Sequence, residues 1–118
     1  ITEILEYVVK SGTGQKAAIG GYSVAGKTGT AQKADEGKKG YSEDKYMSSF
    51  VGYVPSKKPR LVIMVGIDEP EGFAWGGEVA APVFREIARQ SLRYLKVPSE
   101  NEGIYTVKNR ELRAKNYL

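Results

Sequence analysis

Tyr22-Ser-Val-Ala-Gly-Lys-Thr-Gly-Thr-Ala31 is the stretch on which the fold turns. Taken from Gly21, it satisfies the phosphate-loop pattern G-x-x-x-x-G-K-[ST], with Gly26, Lys27 and Thr28 as its last three letters. A phosphate loop needs a buried strand before it and a helix opening at the lysine, whose first amides hold the phosphates. Neither context is present. Residues 13–20 are polar and Gly-rich, and Gly29-Thr30 with the polar run beyond cannot open an amphipathic helix. Tyr22, Val24, Thr28 and Thr30 suit an extended strand, where Gly26 and Gly29 would weaken a helix. Gly12-Thr-Gly14-Gln-Lys-Ala17 loosely matches a dinucleotide-binding pattern, but it follows a helix where that motif requires a strand. Both nucleotide readings fail on context.

Outward from this strand, periodicity supplies the neighbours. Ile1, Leu5, Val8 and Val9 fall at helical spacing, and Gly12 and Gly14 stop that helix. Residues 32–46 are rich in Lys, Glu and Gly, which predicts a mobile loop. Met47–Val54 is β-rich, Pro55–Pro59 is a turn, and Arg60–Asp68 is a second β-rich run, so the two runs pair antiparallel. Leu61-Val-Ile-Met-Val65 is apolar throughout, which predicts a central strand covered on both faces. Glu78–Lys96 repeats apolar residues at helical spacing, predicting a buried stripe of Val83, Phe84, Ile87, Ala88, Leu92 and Leu95. Pro82 is tolerable there only in the first turn, and Pro98 ends the helix. The expected fold class is α/β (α+β): a slice of antiparallel sheet, three strands wide, flanked by helices. Residues 1–98 carry this structure and 99–118 form a charged tail.

Composition narrows the chemistry. The 118 residues include neither cysteine nor histidine, so thiolate catalysis, Cys-based zinc sites and a Ser-His-Asp triad are excluded. A proton acceptor would have to be Lys, Asp, Glu or Tyr. No apolar run of about 18 or more residues is present to span a membrane. The net charge of +4 is scattered among interleaved acids, which predicts a solvated surface and no nucleic-acid binding. Asp68-Glu69 looks like a carboxylate pair, but neighbours in sequence diverge, and a strand-end turn explains them. The chain opens on Ile1, and a cut within a longer polypeptide is expected.

Lys27-Thr28-Gly29-Thr30 on a strand resembles the K-T-G element of the serine penicillin-recognising enzymes. Alone the tripeptide says little, but its surroundings match in order. They are Val9-Lys-Ser-Gly-Thr-Gly14, Val24-Ala-Gly-Lys-Thr-Gly-Thr-Ala-Gln32, Ser49-Phe-Val-Gly-Tyr-Val-Pro55, Val65-Gly-Ile-Asp-Glu-Pro70 and Gly76-Gly-Glu-Val-Ala-Ala-Pro-Val-Phe84. Over residues 1–96 the chain resembles the class B penicillin-binding proteins, the monofunctional peptidoglycan D,D-transpeptidases of cell division and elongation.

That resemblance implies a β-lactamase/transpeptidase-like fold and a serine acyl-enzyme mechanism with no metal and no organic cofactor. Alternation along the strand puts Lys27 and Gly29 on one face and Thr28 and Thr30 on the other. By the resemblance, Lys27 holds the nucleophile's surroundings electropositive. The Thr30 amide is one half of an oxyanion hole, and the Thr28 and Thr30 hydroxyls bind a substrate or antibiotic carboxylate. Gly29 leaves room for the helix that bears the nucleophile, and the 32–46 loop borders the cleft. Phe73 and Trp75 wall the cleft or pack at the sheet–helix corner. The implied partners are a stem peptide ending in D-Ala-D-Ala, β-lactam antibiotics, the N-terminal remainder of the same domain (in the same or a separate chain) and other cell-wall synthesis proteins. The implied location is the bacterial cell envelope, outside the cytoplasmic membrane, anchored by an N-terminal segment not in this chain.

The nucleophile is expected outside this chain. In the family S-x-x-K and S-x-N precede K-T-G, and no S-x-x-K element is expected anywhere in this chain, at Ser11, Ser23, Ser42, Ser48, Ser49, Ser56, Ser91 or Ser99. Ser99-Glu-Asn101 is the one S-x-N match, and it lies in the tail. The chain alone should therefore not acylate. A scaffold or β-lactam sensor that keeps the fold is the alternative. A β-lactamase, which shares K-T-G, is disfavoured by Ile67-Asp-Glu-Pro70 and Val79–Phe84.

Overall fold

The computed structural model describes residues 1–35, 37, 39–72 and 75–100, the side chains of 42 and 44 excepted. Helix α1 spans Thr2–Ser11, and a 3-10 turn covers Gln15–Ala17. Strands β1 (Ala25–Ala34), β2 (Tyr41–Val54) and β3 (Leu61–Asp68) form a sheet in the order β1-β2-β3, all antiparallel. A short helix α2 (Gly76–Val79) leads through Ala80 into α3 (Ala81–Tyr94). The expected class, a three-stranded antiparallel sheet flanked by helices, is what the chain forms.

Register fixes which residues share a face. Thr28↔Phe50↔Val65 and Gly26↔Gly52↔Ile63 align, as do Lys27↔Val51↔Met64 and Ala25↔Tyr53↔Val62. Because side chains alternate, Phe50, Val54 and Val65 point to one side and Val51, Met64 and Val62 to the other. The first side is the core. There Phe50 meets Phe84 of α3 at a ring-centroid distance of 4.7 Å and a tilt of 58°, both rings wholly buried. Tilted pairs of this kind add about 0.5–1.5 kcal/mol beyond their area burial.

Three expectations change. β3 is not central among the described residues: β2 is. Val62 and Met64 are 73% and 72% exposed, because the described helices cover only the Phe50 face. The segment 32–46 is mostly strand, since β1 runs to Ala34 and β2 begins at Tyr41. Composition concealed this: a hairpin arm that projects from the core needs no apolar face. Gln32↔Tyr46 and Ala34↔Tyr41 pair across it, with the register shifting between Gln32 and Ala34. The buried stripe of α3 is also narrower than its apolar letters suggested. Ala81, Phe84, Ala88 and Leu92 are buried, whereas Val83, Ile87 and Leu95 are exposed, because α3 meets the sheet along one line of side chains. Pro82 does sit in the first turn.

The end of α3 is built by its backbone. Val97 N–H donates to Leu92 O at 3.0 Å and Lys96 N–H to Arg93 O at 3.1 Å, the crossed pair of a Schellman cap. Lys96 occupies the left-handed position at φ +56°, which disfavours residues with a Cβ. Lys96→Gly is therefore expected to raise stability by about 1 kcal/mol, read as a higher denaturation midpoint. Of the charged tail, residues 99 and 100 are described and 101–118 lie outside the described residues. Glu100 accepts from the Ser23 amide at 2.8 Å and from its hydroxyl at 2.6 Å.

Candidate active site

β1 is an outer strand of the described sheet, with β2 along one margin. Its middle carries Lys27, Thr28, Gly29 and Thr30 in extended backbone, so the phosphate-loop letters do not open a helix. The alternation expected from the sequence holds. Lys27 and Gly29 lie on the side away from the core with Ser49 and Val51, while Thr28 and Thr30 lie on the core side with Phe50 and Ser48.

Each member is positioned by a different element. Lys27 is exposed, and its Nζ donates to Thr28 O at 3.1 Å and to Thr28 Oγ1 at 3.3 Å. None of the ion pairs among the described residues includes Lys27. Thr28 Oγ1 also lies 3.0 Å from Thr13 Oγ1, a hydroxyl pair that ties the strand to the loop after α1. Thr30 Oγ1 accepts the Gly76 amide at 3.3 Å, so the start of α2 orients it. A Cβ built on Gly29 would meet only the Ser49 hydroxyl, at 2.6 Å. Among the described residues, the outward side of Gly29 is thus bounded by one small movable group.

The glycine pair at the start of α2 explains how the helix comes so close. A Cβ on Gly76 would lie 2.2 Å from Ser49 O and 2.8 Å from Gly29 O, and one on Gly77 would lie 2.1 Å from Thr13 O. The helix start rests directly on the peptide atoms of the Gly29–Ser49 pair and on the loop at Thr13. Thr13, Ser49 and Gly77 were not singled out from the sequence. All three sit inside quoted family segments, but Ser49 becomes visible as a neighbour of Gly29 only through the strand register.

The carboxylates at the end of β3 belong to a different arrangement. Lys33 Nζ reaches Asp68 Oδ1 at 2.8 Å and Glu69 Oε1 at 3.2 Å. The hydrogen bond to Asp68, then that to Glu69, holds the Lys33 ammonium above its ordinary pKa. Asp68 and Glu69 therefore anchor the β1–β2 hairpin arm, as a strand-end turn would. No cluster of three or more acidic side chains able to hold a metal occurs among the described residues, and no described helix is long and apolar enough to cross a membrane. Trp75 is 66% exposed just before α2, and Phe73 lies outside the described residues.

The expectation that no S-x-x-K occurs in the chain is wrong at one place, because Ser42-Glu-Asp-Lys45 fits the pattern. It lies in β2, downstream of the K-T-G strand. A working S-x-x-K element brings its two side chains together on one face of a helix, at i and i+3. Strand backbone cannot do so, and Ser42 is no candidate nucleophile.

Comparison with known proteins agrees with this geometry. The penicillin binding protein transpeptidase domain family matches residues 1–89. Stage V sporulation protein D of Bacillus subtilis is 48% identical over 100 residues, covering 83% of this chain and 15% of that protein. The probable peptidoglycan D,D-transpeptidase PbpC of Pseudomonas aeruginosa is 44% identical over 103 residues, covering 86% and 18%. Penicillin binding protein 3 of Mycobacterium tuberculosis, solved with ampicillin, superposes with a TM-score of 0.75 at 36% identity over 87% of this chain and 25% of that one. The chain thus spans less than a fifth of the length of these two curated relatives. With the outer K-T-G strand, the helix start resting on it and the family match all in register, the chain belongs to the penicillin binding protein transpeptidase domain family.

Proposed function

We propose that this chain supplies the K-T-G wall of the active site of a peptidoglycan D,D-transpeptidase, whose serine nucleophile comes from sequence outside it. The observation that carries this is the placement of Lys27 and Gly29 together on the uncovered side of an outer strand. In this assignment the Lys27 ammonium favours the anionic transition state and proton movement at the attacking serine. The Thr30 amide donates to the developing oxyanion, with the nucleophile's own amide as the second donor. The Thr28 and Thr30 hydroxyls bind the carboxylate of a D-Ala-D-Ala terminus or of a β-lactam. Gly29 admits the helix that bears the serine. The names of the relatives support the substrate class, and the ampicillin complex of one of them supports β-lactam binding.

The remainder of the same domain is the partner that completes the site, and the bacterial cell envelope is where such a protein works. The exposed Val62 and Met64 side of the sheet, contiguous with Lys27 and Gly29, is where that remainder seats.

The test is to label the complete protein with a penicillin and map the adduct by peptide mass spectrometry. The adduct is expected on a serine outside residues 1–118, in an S-x-x-K element, with no label on this chain expressed alone. An adduct on Ser42, or labelling of the isolated chain, would refute the assignment. No labelling of the complete protein would favour a non-catalytic scaffold.

A further inference from the structure

The Schellman cap turns the chain after α3 back across the helix, and a groove of about 570 Å³ opens between Ile19–Tyr22 and α3 from Arg85 onward. Arg85, Arg89, Arg93 and Lys96 line it. They recur every three or four residues, so they stand along one side of the helix. Across Val97-Pro98-Ser99 lies a second groove of about 330 Å³, lined by Lys57, Lys58 and Arg60. Seven cations thus flank one short segment.

The nearby acids offset these cations only in part, Glu86 pairing with Arg89 and Glu100 lining the second groove. Glu86 is held by Arg89 at 2.8 Å and by Gln90 at 2.8 Å, and Glu100 is bound to Ser23. Arg85, Arg93 and Lys96 enter none of the ion pairs among the described residues. Between the cations, Ile19, Leu92 and Val97 contribute the apolar part of the lining, each showing only a small edge. Lys96 also holds a backbone conformation that glycine would adopt at lower cost, yet it presents its charge at the groove's end.

We propose that this groove is a docking site for an extended, acidic segment of a partner protein that alternates carboxylates with apolar side chains. Carboxylates would meet the arginines on the helix side, and apolar side chains would cover the apolar part of the lining. The span from Arg85 to the end of α3 and its cap at Lys96 is about 16 Å long, room for roughly five extended residues. The concave shape admits a chain and disfavours a flat bilayer. The chain's own residues 101–118 are poor occupants by charge, because they carry four cations (Lys108, Arg110, Arg113, Lys115) against two acids (Glu102, Glu111). A second copy is disfavoured in the same way, since the chain is basic overall. No residue of the K-T-G strand or of α2 lines the groove, so occupancy would leave that strand open.

The experiment uses the complete transpeptidase domain and a fluorescein-labelled hexapeptide of alternating glutamate and leucine, followed by fluorescence anisotropy. Binding is expected, weakening steeply as salt is raised from about 0.05 M to about 0.5 M. The triple variant Arg85→Glu, Arg93→Glu, Lys96→Glu should weaken it at least about tenfold with an unchanged thermal midpoint. If that variant misfolds, the neutral Arg85→Gln, Arg93→Gln, Lys96→Gln version replaces it. Equal binding of the glutamine–leucine hexapeptide, equal binding by the folded variant, or no binding of the acidic peptide would overturn the proposal. So would binding of phosphatidylglycerol vesicles without binding of the peptide, which would assign the cations to a lipid surface.

Discussion

Lys27→Ala is expected to lower the rate of acylation by a fluorescent penicillin roughly 100- to 1000-fold in the complete domain, with little change in thermal stability. The two halves of this expectation have separate causes. Stability is spared because the Lys27 side chain is exposed, and its hydrogen bonds, at 3.1 and 3.3 Å, reach no farther than the adjacent Thr28. Exposed contacts of that kind contribute little. In the proposed assignment acylation suffers because the lost ammonium would stand beside the developing oxyanion, where the protein surroundings screen it less than water does. Stopped-flow labelling with a melting curve on the same sample checks both halves. Unchanged labelling would remove Lys27 from the chemistry, and a collapsed melting curve would show a structural role instead.

Gly76→Ala should be strongly destabilising, costing about 3 kcal/mol and slowing acylation as well. Its Cβ would lie 2.2 Å from Ser49 O and 2.8 Å from Gly29 O, and both are main-chain atoms that cannot rotate away. Either α2 retreats from the sheet or the β1–β2 pair yields at Gly29. Retreat would also break the Gly76 amide's hydrogen bond to Thr30 Oγ1. Both responses disturb the strand beside Lys27. Gly20→Ala is the control, because a Cβ there meets nothing within 4 Å and its φ is not in the left-handed region. Urea denaturation should shift strongly for the first variant and by less than about 0.5 kcal/mol for the second. Equal midpoints would show that α2 does not bear on the site.

The K-T-G strand was legible because Thr and Val spacing and the failure of the phosphate-loop context converge on extended backbone at Lys27. Phe84, Ala88 and Leu92 were legible as a helical stripe, but Val83, Ile87 and Leu95 share its hydrophobicity without its burial. Periodicity reports what could be buried, and only the width of the opposing surface decides what is. β3 misled for the same reason: Val62 and Met64 are apolar letters on a side that the described helices leave uncovered. The arm at 32–46 was hidden by its polarity, since backbone pairing between Gln32 and Tyr46 leaves no hydrophobic trace. Ser49 and Thr13, which bear directly on Gly29 and Thr28, needed a register and a loop closure that no local pattern encodes.

The uncovered side of the sheet also governs how the isolated polypeptide behaves in a test tube. Greasy side chains such as Val62 and Met64, beside the outer margin of β3, which pairs with no further strand among the described residues, are expected to make a surface to which other copies adhere. Precipitation of the purified piece would report that stickiness and would say nothing against the soundness of the Phe50–Phe84 interior.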